Sequence, residues 1–350
     1  MVKYAIAILL AALFFIAVMV IDNHRFVVRR YHVRSRAVKR PVRIVFIADL
    51  HEKDYGNGNE GPAEAIAEQR PDLILIGGDL IISSKVWRDS RKNAGDAAGE
   101  TPGADTEQKY AESGPASLRS AGWMKNSAAL IKRLAPICPV WFVRGNHEIR
   151  LTYYEELKEY DALFRKEMES AGVSFIENRC EDPFSGSAGY EDSGIRIQGL
   201  ELPMRYYEKF KKTGLSSEEL ERLIGKPDPS FFTILLTHTP VYFEEYVRWG
   251  ADLSLCGHVH GGLMRLPFIG GVMGTRPNLF PKYSGGQYFY DMEGRAKSPR
   301  GDRGSDSGKR GTMVVTCGLG MHTLPIRIFN PGEISVIELE PEDAPCTERS

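Results

Sequence analysis

Val140-Trp141-Phe142-Val143-Arg144-Gly145-Asn146-His147-Glu148 is the stretch on which the reading of this 350-residue chain turns. Four apolar residues with strand-forming character come first, as in a strand buried on both faces. The run then stops at Arg144 and a glycine, followed by an amide, an imidazole and a carboxylate. In open α/β sheets the carboxyl ends of the strands are where ligands bind. Four other apolar runs stop in the same manner. Residues 42–48 end in Asp49-Leu50-His51, and 73–76 end in Gly77-Gly78-Asp79. Residues 232–236 end in Thr237-His238, and 253–256 end in Gly257-His258-Val259-His260-Gly261-Gly262. Of the eight histidines, five (His51, His147, His238, His258 and His260) fall in these blocks, which argues for one shared site.

Carboxylate, amide oxygen and imidazole together suit Mn, Fe or Zn, and no thiolate is offered. In Asp49-Leu50-His51 and in His258-Val259-His260 the two outer side chains are expected on one face, because a strand repeats every two residues. Gly78, Gly145, Gly257 and Gly261 flank the polar residues and are expected to let the backbone approach a ligand closely. The five cysteines, Cys138, Cys180, Cys256, Cys317 and Cys346, are widely spaced with no Cys-x-x-Cys pair. Neither a disulfide framework nor a zinc–thiolate site is expected.

Working outward, residues 313–316 and 334–339 add two further apolar runs. Helices are expected over 62–69, 127–134, 153–171 and 217–224, the last with Ser216 or Ser217 as its N-cap. Alternating strands and helices predict an α/β protein with mainly parallel pairing and helices covering the sheet faces. The segments 84–120, 181–194 and 292–311 are rich in Gly, Ser and charge. They read as loops inserted into one domain of residues 42–340, the first and last of them as disordered insertions. Residues 341–350 form a tail.

The composition, 42% hydrophobic and 26% charged, is that of a globular protein with an ordinary core. A formal net charge of -1 creates no field that recruits nucleic acid. Residues 295–310 are basic, but Asp302 and Asp306 interrupt them and no aromatic is interleaved. No nucleic-acid partner is expected. The N-terminus differs in kind. Residues 4–21 carry no charge, and about 18–20 such residues cross a bilayer core as a helix. A cleavable signal has a shorter apolar stretch and small residues at its cleavage site, whereas Asp22-Asn23-His24-Arg25 follows here. Residues 1–23 are therefore expected to be an uncleaved transmembrane helix holding the protein at the cell membrane. Residues 24–41 carry Arg25, Arg29, Arg30, Arg34, Arg36, Lys39 and Arg40 and read as a basic juxtamembrane segment. The positive-inside rule would place the domain in the cytoplasm. Residues 26–33 also read as a strand, with some of these arginines on its exposed face, and the stretch also suits anionic headgroups.

The five blocks, Asp-x-His, Gly-Asp, Gly-Asn-His-Glu, a lone His and Gly-His-x-His, resemble in content and order the calcineurin-like metallophosphoesterases. The resemblance runs over residues 42–339. The end of the chain, with Gly318-Leu319-Gly320, Pro325-Ile326-Arg327 and a closing strand, looks like the membrane-associated bacterial YkuE-like branch of that family. It implies a four-layer αββα fold, two packed mixed sheets flanked by helices. It implies that Asp49, His51 and His260 hold one cation, that Asn146, His238 and His258 hold a second, and that Asp79 bridges them. Two such cations lower the pKa of a shared water, which attacks a phosphate mono- or diester with no Ser or Cys nucleophile. His147, with Asn146 beside it, is the implied catalytic pair. His147 would face the substrate and protonate the leaving oxygen. Glu148 either orients His147 or is an ordinary helix-start acid.

Some positions depart from related patterns. Protein Ser/Thr phosphatases of this superfamily carry Gly-Asp-x-Val-Asp-Arg-Gly, whereas Asp79 is followed by Leu80-Ile81-Ile82-Ser83, so a protein-phosphatase role is not expected. Ile82 stands where purple acid phosphatases place a metal-binding tyrosine, and Leu263 where the bacterial branch often has glutamine. A nuclease or cyclic-nucleotide phosphodiesterase, or a non-catalytic metal-binding scaffold, remain the alternatives. The anchor points to a lipid or envelope phosphoester, and residues 204–212 mix aromatics with bases as a headgroup contact or an ordinary amphipathic surface.

Overall fold

The computed structural model describes residues 1–93, 122–185, 193–208, 213–275, 278–291, 296–297, 310–321 and 324–343. Its frame is two sheets. The first has six strands in the order β1 (Phe26–Ser35), β15 (Gly332–Pro341), β2 (Val42–Ile47), β3 (Leu73–Ile76), β4 (Val140–Phe142) and β5 (Val173–Phe175). The second has seven, in the order β13 (Ala296–Lys297), β12 (Gly286–Asp291), β14 (Arg310–Val315), β9 (Leu253–Cys256), β8 (Phe232–Thr237), β7 (Ile195–Leu200) and β6 (Cys180–Glu181). A small antiparallel hairpin, β10 (Arg265–Leu266) with β11 (Gly270–Gly271), follows β9. The strands β2 to β5 are parallel, as are β7, β8, β9 and β14. Antiparallel neighbours at β15/β2, β12/β14 and β6/β7 make both sheets mixed.

The four layers follow from where alternate side chains go. Ile44 and Phe46 of β2, Leu73 and Leu75 of β3, and Ile337 and Leu339 of β15 pack in one core with Ile234 and Leu236 of β8, Leu253 and Leu255 of β9, and Val314 of β14. That core is the seam between the sheets. Val45, Ile47, Ile74 and Ile76 point the other way. They meet Ile66 of α2 (Glu60–Glu68), Leu130 and Leu134 of α4 (Lys125–Leu134), and Phe164 and Met168 of α6 (Lys158–Ser170). On the outer face of the second sheet Leu235, Met313 and Val315 meet Leu220 of α7 (Ser217–Ile224) and Tyr246 of α8 (Phe243–Trp249). A sheet covered on both faces needs apolar residues at every strand position, which is why these strands read as continuous runs. Ser216 caps α7 as expected, its Oγ accepting the Glu219 N–H at 3.2 Å.

Several expectations are corrected. Residues 24–41 are not merely juxtamembrane, since β1 is the edge strand of the first sheet, parallel to β15. Its arginines, and Arg36 just past it, pair with acids of β15 and beyond: Arg29 with Glu333, Arg30 with Glu338, Arg34 with Glu340 and Arg36 with Glu342. The helix expected over 153–171 starts later, at Lys158. α5 (Asn146–Tyr153) ends where Tyr154 turns extended at φ -100 and ψ 127, and α6 follows a short 3₁₀ turn. The insertion expected at 84–120 begins as a helix, α3 (Ser83–Asn93), and residues 94–120 lie outside the described residues. Part of 292–311 is strand, in β13 and the start of β14, and the rest lies outside the described residues. Strands β5, β7 and β12 were not expected. They are short or carry Gly, Gln and Arg, so their hydrophobic signal is weak. At the N-terminus α1 (Val2–His24) is exposed over residues 2–17, with Asp22 buried near its end, and is long and apolar enough to cross a membrane by length and composition.

Candidate metal centre

The polar residues that the blocks contribute lie past the strands. β2 stops at Ile47 and β9 at Cys256, and Asp49, His51, Asp79, His258 and His260 take left-handed φ angles between 46° and 73°. The expectation that strand alternation puts Asp49 and His51, or His258 and His260, on one face is therefore corrected. Their side chains converge because the loop backbone turns left-handed, a conformation that costs a non-glycine residue about 1–3 kcal/mol and survives only where its surroundings dictate it. The surroundings here are backbone hydrogen bonds between loops. Asp49 donates to the Gly78 carbonyl (2.9 Å), His51 to that of Asp79 (3.0 Å) and Glu52 to that of Leu80 (2.9 Å). Gly145 and Gly257 are required for space: a Cβ at Gly145 would stand 2.2 Å from Asp79 Oδ1, and one at Gly257 2.7 Å from Asp49 Oδ2.

Buried side chains lock these loops. Glu148, fully buried at the start of α5, accepts four backbone N–H groups, from Asp79 (2.8 Å), Leu80 (2.8 Å), Ile81 (3.2 Å) and Gly145 (3.0 Å). Glu148 is thus a helix-start acid, closing a capping box on Gly145, and it also staples the Asp79 loop to α5. Glu52 does the same at α4, accepting the N–H groups of Asn126 and Ser127 at 2.9 Å. Arg327 works in the opposite sense. It donates to five carbonyls, those of Cys317, Gly318, Gly320, Asn330 and Pro331. Asn330 donates from Nδ2 to the His260 carbonyl at 2.7 Å. Sequence reading singled out neither Glu52 nor Asn330, because a staple has no motif of its own.

Inside this cage the structure brings the expected ligands together. Asp49, His51 and His260 form one group, and Asp79, His238 and His258 another, with ligand atoms within 4.8 Å of one another in each. Asp79 Oδ2 lies 3.1 Å from His238 Nε2 and 3.7 Å from His51 Nε2, between the two groups. Asn146 is buried beside them at the start of α5, and its Oδ1 has no hydrogen-bond partner. An orphaned buried acceptor next to carboxylates and imidazoles is what a divalent cation would satisfy.

The imidazole tautomers make the same point. Nδ1–H of His51 donates to the Ile81 carbonyl (3.2 Å), that of His238 to Gly77 (2.6 Å) and that of His260 to Gly320 (3.0 Å). A carbonyl can only accept, so each ring keeps a proton on Nδ1 and turns Nε2 to the centre, where the neutral ring offers a lone pair to a cation. This is the usual support of a metal-binding histidine. His147 is built the other way round. Its Nδ1 accepts the backbone N–H of Ser83 at 3.0 Å, with Ser83 Oγ at 2.9 Å. The neutral ring therefore carries its proton on Nε2, the form that donates rather than ligates, although it stands close enough to His51 and Asp79 to join a third group.

Burial shapes the ionisation of the site. Burial pushes Asp49 up to about 7, against His238. Burial also opposes the charge on Asp79, but His238 and His147 hold it well below the usual carboxylate range. His238, despite burial, is raised to about 9 by Asp79. The acids and imidazoles neutralise one another with shared protons, a part that cations would take over.

Of the expected headgroup segment, Met204–Tyr206 forms a 3₁₀ turn with Tyr206 and Tyr207 buried and Arg205 paired to Glu219. Residues 209–212 lie outside the described residues. The Tyr207 ring stands 5.4 Å from that of His258, a contact with no sequence signal.

Residues 42–262 match the family model described as calcineurin-like phosphoesterase. The chain is similar to the uncharacterized metallophosphoesterase Cj0846 of Campylobacter jejuni, at 24% identity over 89% of this chain and 63% of that protein. It is similar to the uncharacterized metallophosphoesterase YkuE of Bacillus subtilis, at 29% over 36% of this chain and 37% of that one. The phosphodiesterase YaeI of Escherichia coli is 25% identical over 66% of this chain and 64% of its own length. The chain thus spans less than two thirds of the curated relatives it matches. Among solved structures, the NAD nucleotidase NadN of Haemophilus influenzae superposes with a TM-score of 0.37 at 13% identity, over 79% of this chain and 45% of that one. All five blocks, folded onto one buried centre, lie within the matched span, which takes up more than half of the chain, and the chain belongs to the calcineurin-like phosphoesterase family.

Proposed function

We propose that this chain hydrolyses a phosphate mono- or diester with two divalent cations, Mn, Fe or Zn, held in the buried centre. The observation that carries the reading is the contrast in orientation: three imidazoles are tied at Nδ1 to carbonyls and turn Nε2 inward as a metal ligand would, while His147 beside them accepts at Nδ1 and so carries its proton on Nε2. Asp49, His51 and His260 would hold one cation, Asn146, His238 and His258 the other, and Asp79 both. Bound there, such ions supply an activated water and neutralise charge on the phosphate. The chain's own part is the rest. The loop staples hold the ligands, and His147 Nε2–H donates to the leaving oxygen, with Ser83 fixing its ring. A non-catalytic scaffold has no use for that reversed histidine.

For the substrate, the reading favours a lipid or envelope phosphoester with α1 as a membrane anchor. The end of α1 is built into the domain rather than joined by a linker, since Asp22 is buried and its Oδ2 accepts the Asn330 N–H at 2.9 Å. A groove of about 540 Å³, lined by Ile149, Tyr153, Tyr154, Pro203, Met204 and Arg205, opens on the helix that carries His147 and has room for an apolar substituent.

The test is His147→Ala. Metal content should be unchanged, and kcat should fall by roughly 10²–10⁴-fold, the usual share of a positioned proton donor. An alkyl ester, which leaves poorly, should lose most, and a nitrophenyl ester least. Equal losses on the two would remove His147 as the acid, and no turnover by the metal-loaded wild type would favour the scaffold.

A further inference from the structure

Large apolar side chains stand exposed on two neighbouring loops beside the centre. Phe268 (87% exposed) and Ile269 (61%) form the tip of the β10–β11 hairpin, and Leu279 (65%) and Phe280 (54%) follow it. Leu324 (50%) and Phe329 (40%) lie on the loop before β15. The two loops are one piece. Arg265 N–H donates to the Ile328 carbonyl at 3.0 Å, Val272 N–H to that of Met264 at 2.9 Å, and Phe280 N–H to that of Val272 at 2.8 Å. Phe268, Phe280 and Phe329 all take left-handed φ angles, 69°, 53° and 54°. A bulky L-residue rarely adopts that backbone. Strain of this kind is kept where function uses it, and holding an aromatic ring out into water serves nothing.

The position of α1 says what covers them. Asn23 Nδ2 donates to the Pro325 carbonyl at 2.6 Å, and Asp22 holds Asn330. The Phe329 ring stands 6.3 Å from both Phe14 and Phe15. Phe15 precedes Ile21, the last residue of the uncharged run, by six residues, a distance of about 9 Å along a helix. The loop therefore reaches well up the flank of α1 rather than stopping at its foot. We infer that the hairpin tip and the 324–329 loop form a second membrane-contacting face that enters the bilayer interface beside α1. The inference rests on α1 lying in the bilayer. A second copy of the chain would also cover the hairpin, but it would have to displace acyl chains from around Phe14 and Phe15 to reach Phe329.

The consequence concerns the centre. Asn330, next to Phe329, donates to the carbonyl of His260. The piece that meets lipid is thus hydrogen-bonded to a metal-ligand residue. The site is held at headgroup level, where it would receive the phosphoester of an amphiphile from the membrane.

The experiment uses the full chain in phosphatidylcholine vesicles, with plain or brominated acyl chains. Tryptophan is introduced as Phe268→Trp or Leu279→Trp, and the emission of the four native tryptophans is subtracted using the wild type. In brominated vesicles the added emission should be blue-shifted and quenched at both positions. A blue shift without quenching means that a second copy covers the face, and unshifted, unquenched emission means water; either result overturns the inference. Leu10→Trp, read in the same way, reports on the anchor alone. Quenching at 10 but not at 268 or 279 overturns the second face and leaves the anchor standing, whereas no quenching at any of the three overturns both.

Discussion

The two sheets hold their halves of the centre with opposite chemistry. On the first sheet, the loops after β3 and β4 and the start of α4 turn backbone N–H groups inward, and the buried carboxylates of Glu148 and Glu52 accept them. On the side of the second sheet, the loop after β14 turns carbonyls inward, and the guanidinium of Arg327 donates to them. The first half thereby gathers negative charge in Asp49, Asp79, Glu52 and Glu148, and burial, then Asp79, pushes Glu148 up to about 7. The second half brings neutral-capable imidazoles and one buried cation, whose pKa burial lowers. The seam between a carboxylate-rich wall and an imidazole-rich wall is where a cation is most stable. A staple is thus chosen by which backbone group its loop points inward.

The comparison breaks most completely at Asp79, whose Oδ2 lies 3.1 Å from His238 Nε2 and 3.7 Å from His51 Nε2, closer to each of them than Asp49 comes. Asp79→Asn should lower bound metal by about half or more and kcat by at least roughly 10²-fold, beyond the effect of losing an outer partner. Metal analysis and turnover on one preparation check this, and retention of metal with near-normal kcat would remove Asp79 as the bridge.

The two staples should differ in cost. Glu148→Ala strands four buried N–H groups and should destabilise the fold by about 3–5 kcal/mol, since each costs about 1–3 kcal/mol and entering water satisfies some. Arg327→Met strands five carbonyls but also removes a buried charge that hydrogen-bonds to carbonyls and feels Asp49 and Glu333 only at longer range. Its loss should be smaller, about 1–3 kcal/mol. Urea unfolding in detergent ranks the two, and the reverse order would mean that the Arg327 charge itself stabilises the carboxylate-rich wall.

The smallest effect is expected at Ser83. Ser83→Ala removes Oγ but keeps the backbone N–H that fixes the tautomer of His147. The Oγ–Nδ1 hydrogen bond of about 0.5–1.5 kcal/mol is lost, with a long one from Arg150 at 3.5 Å, so kcat should fall less than about tenfold. A loss as large as that of His147→Ala would show that the hydroxyl, rather than the N–H, sets the ring.

Much of this was legible in residue order. The apolar runs at β2, β3, β4, β8 and β9 read as buried strands because both faces of each sheet are covered. Their polar ends read as one site because chemistry demands those residue types together. The reason offered for their convergence was wrong, since strand alternation stops at Ile47 and Cys256 and the loops do the rest. Edge strand β1 was ambiguous because its arginines resemble a membrane flank until Glu333, Glu338 and Glu340, about 300 residues away in sequence, supply their partners.

What the sequence determined by itself was the α/β class, the five blocks and the apolar N-terminal helix, because each is written in the kinds and spacing of neighbouring residues. What only tertiary structure decided was which nitrogen of each histidine faces inward, what Glu148 and Arg327 hold, and where α1 meets the domain. Those depend on contacts between loops far apart in the chain. His260, Asn330 and Asp22 are joined hydrogen bond by hydrogen bond across some 300 residues, and no local pattern records a partner at that distance.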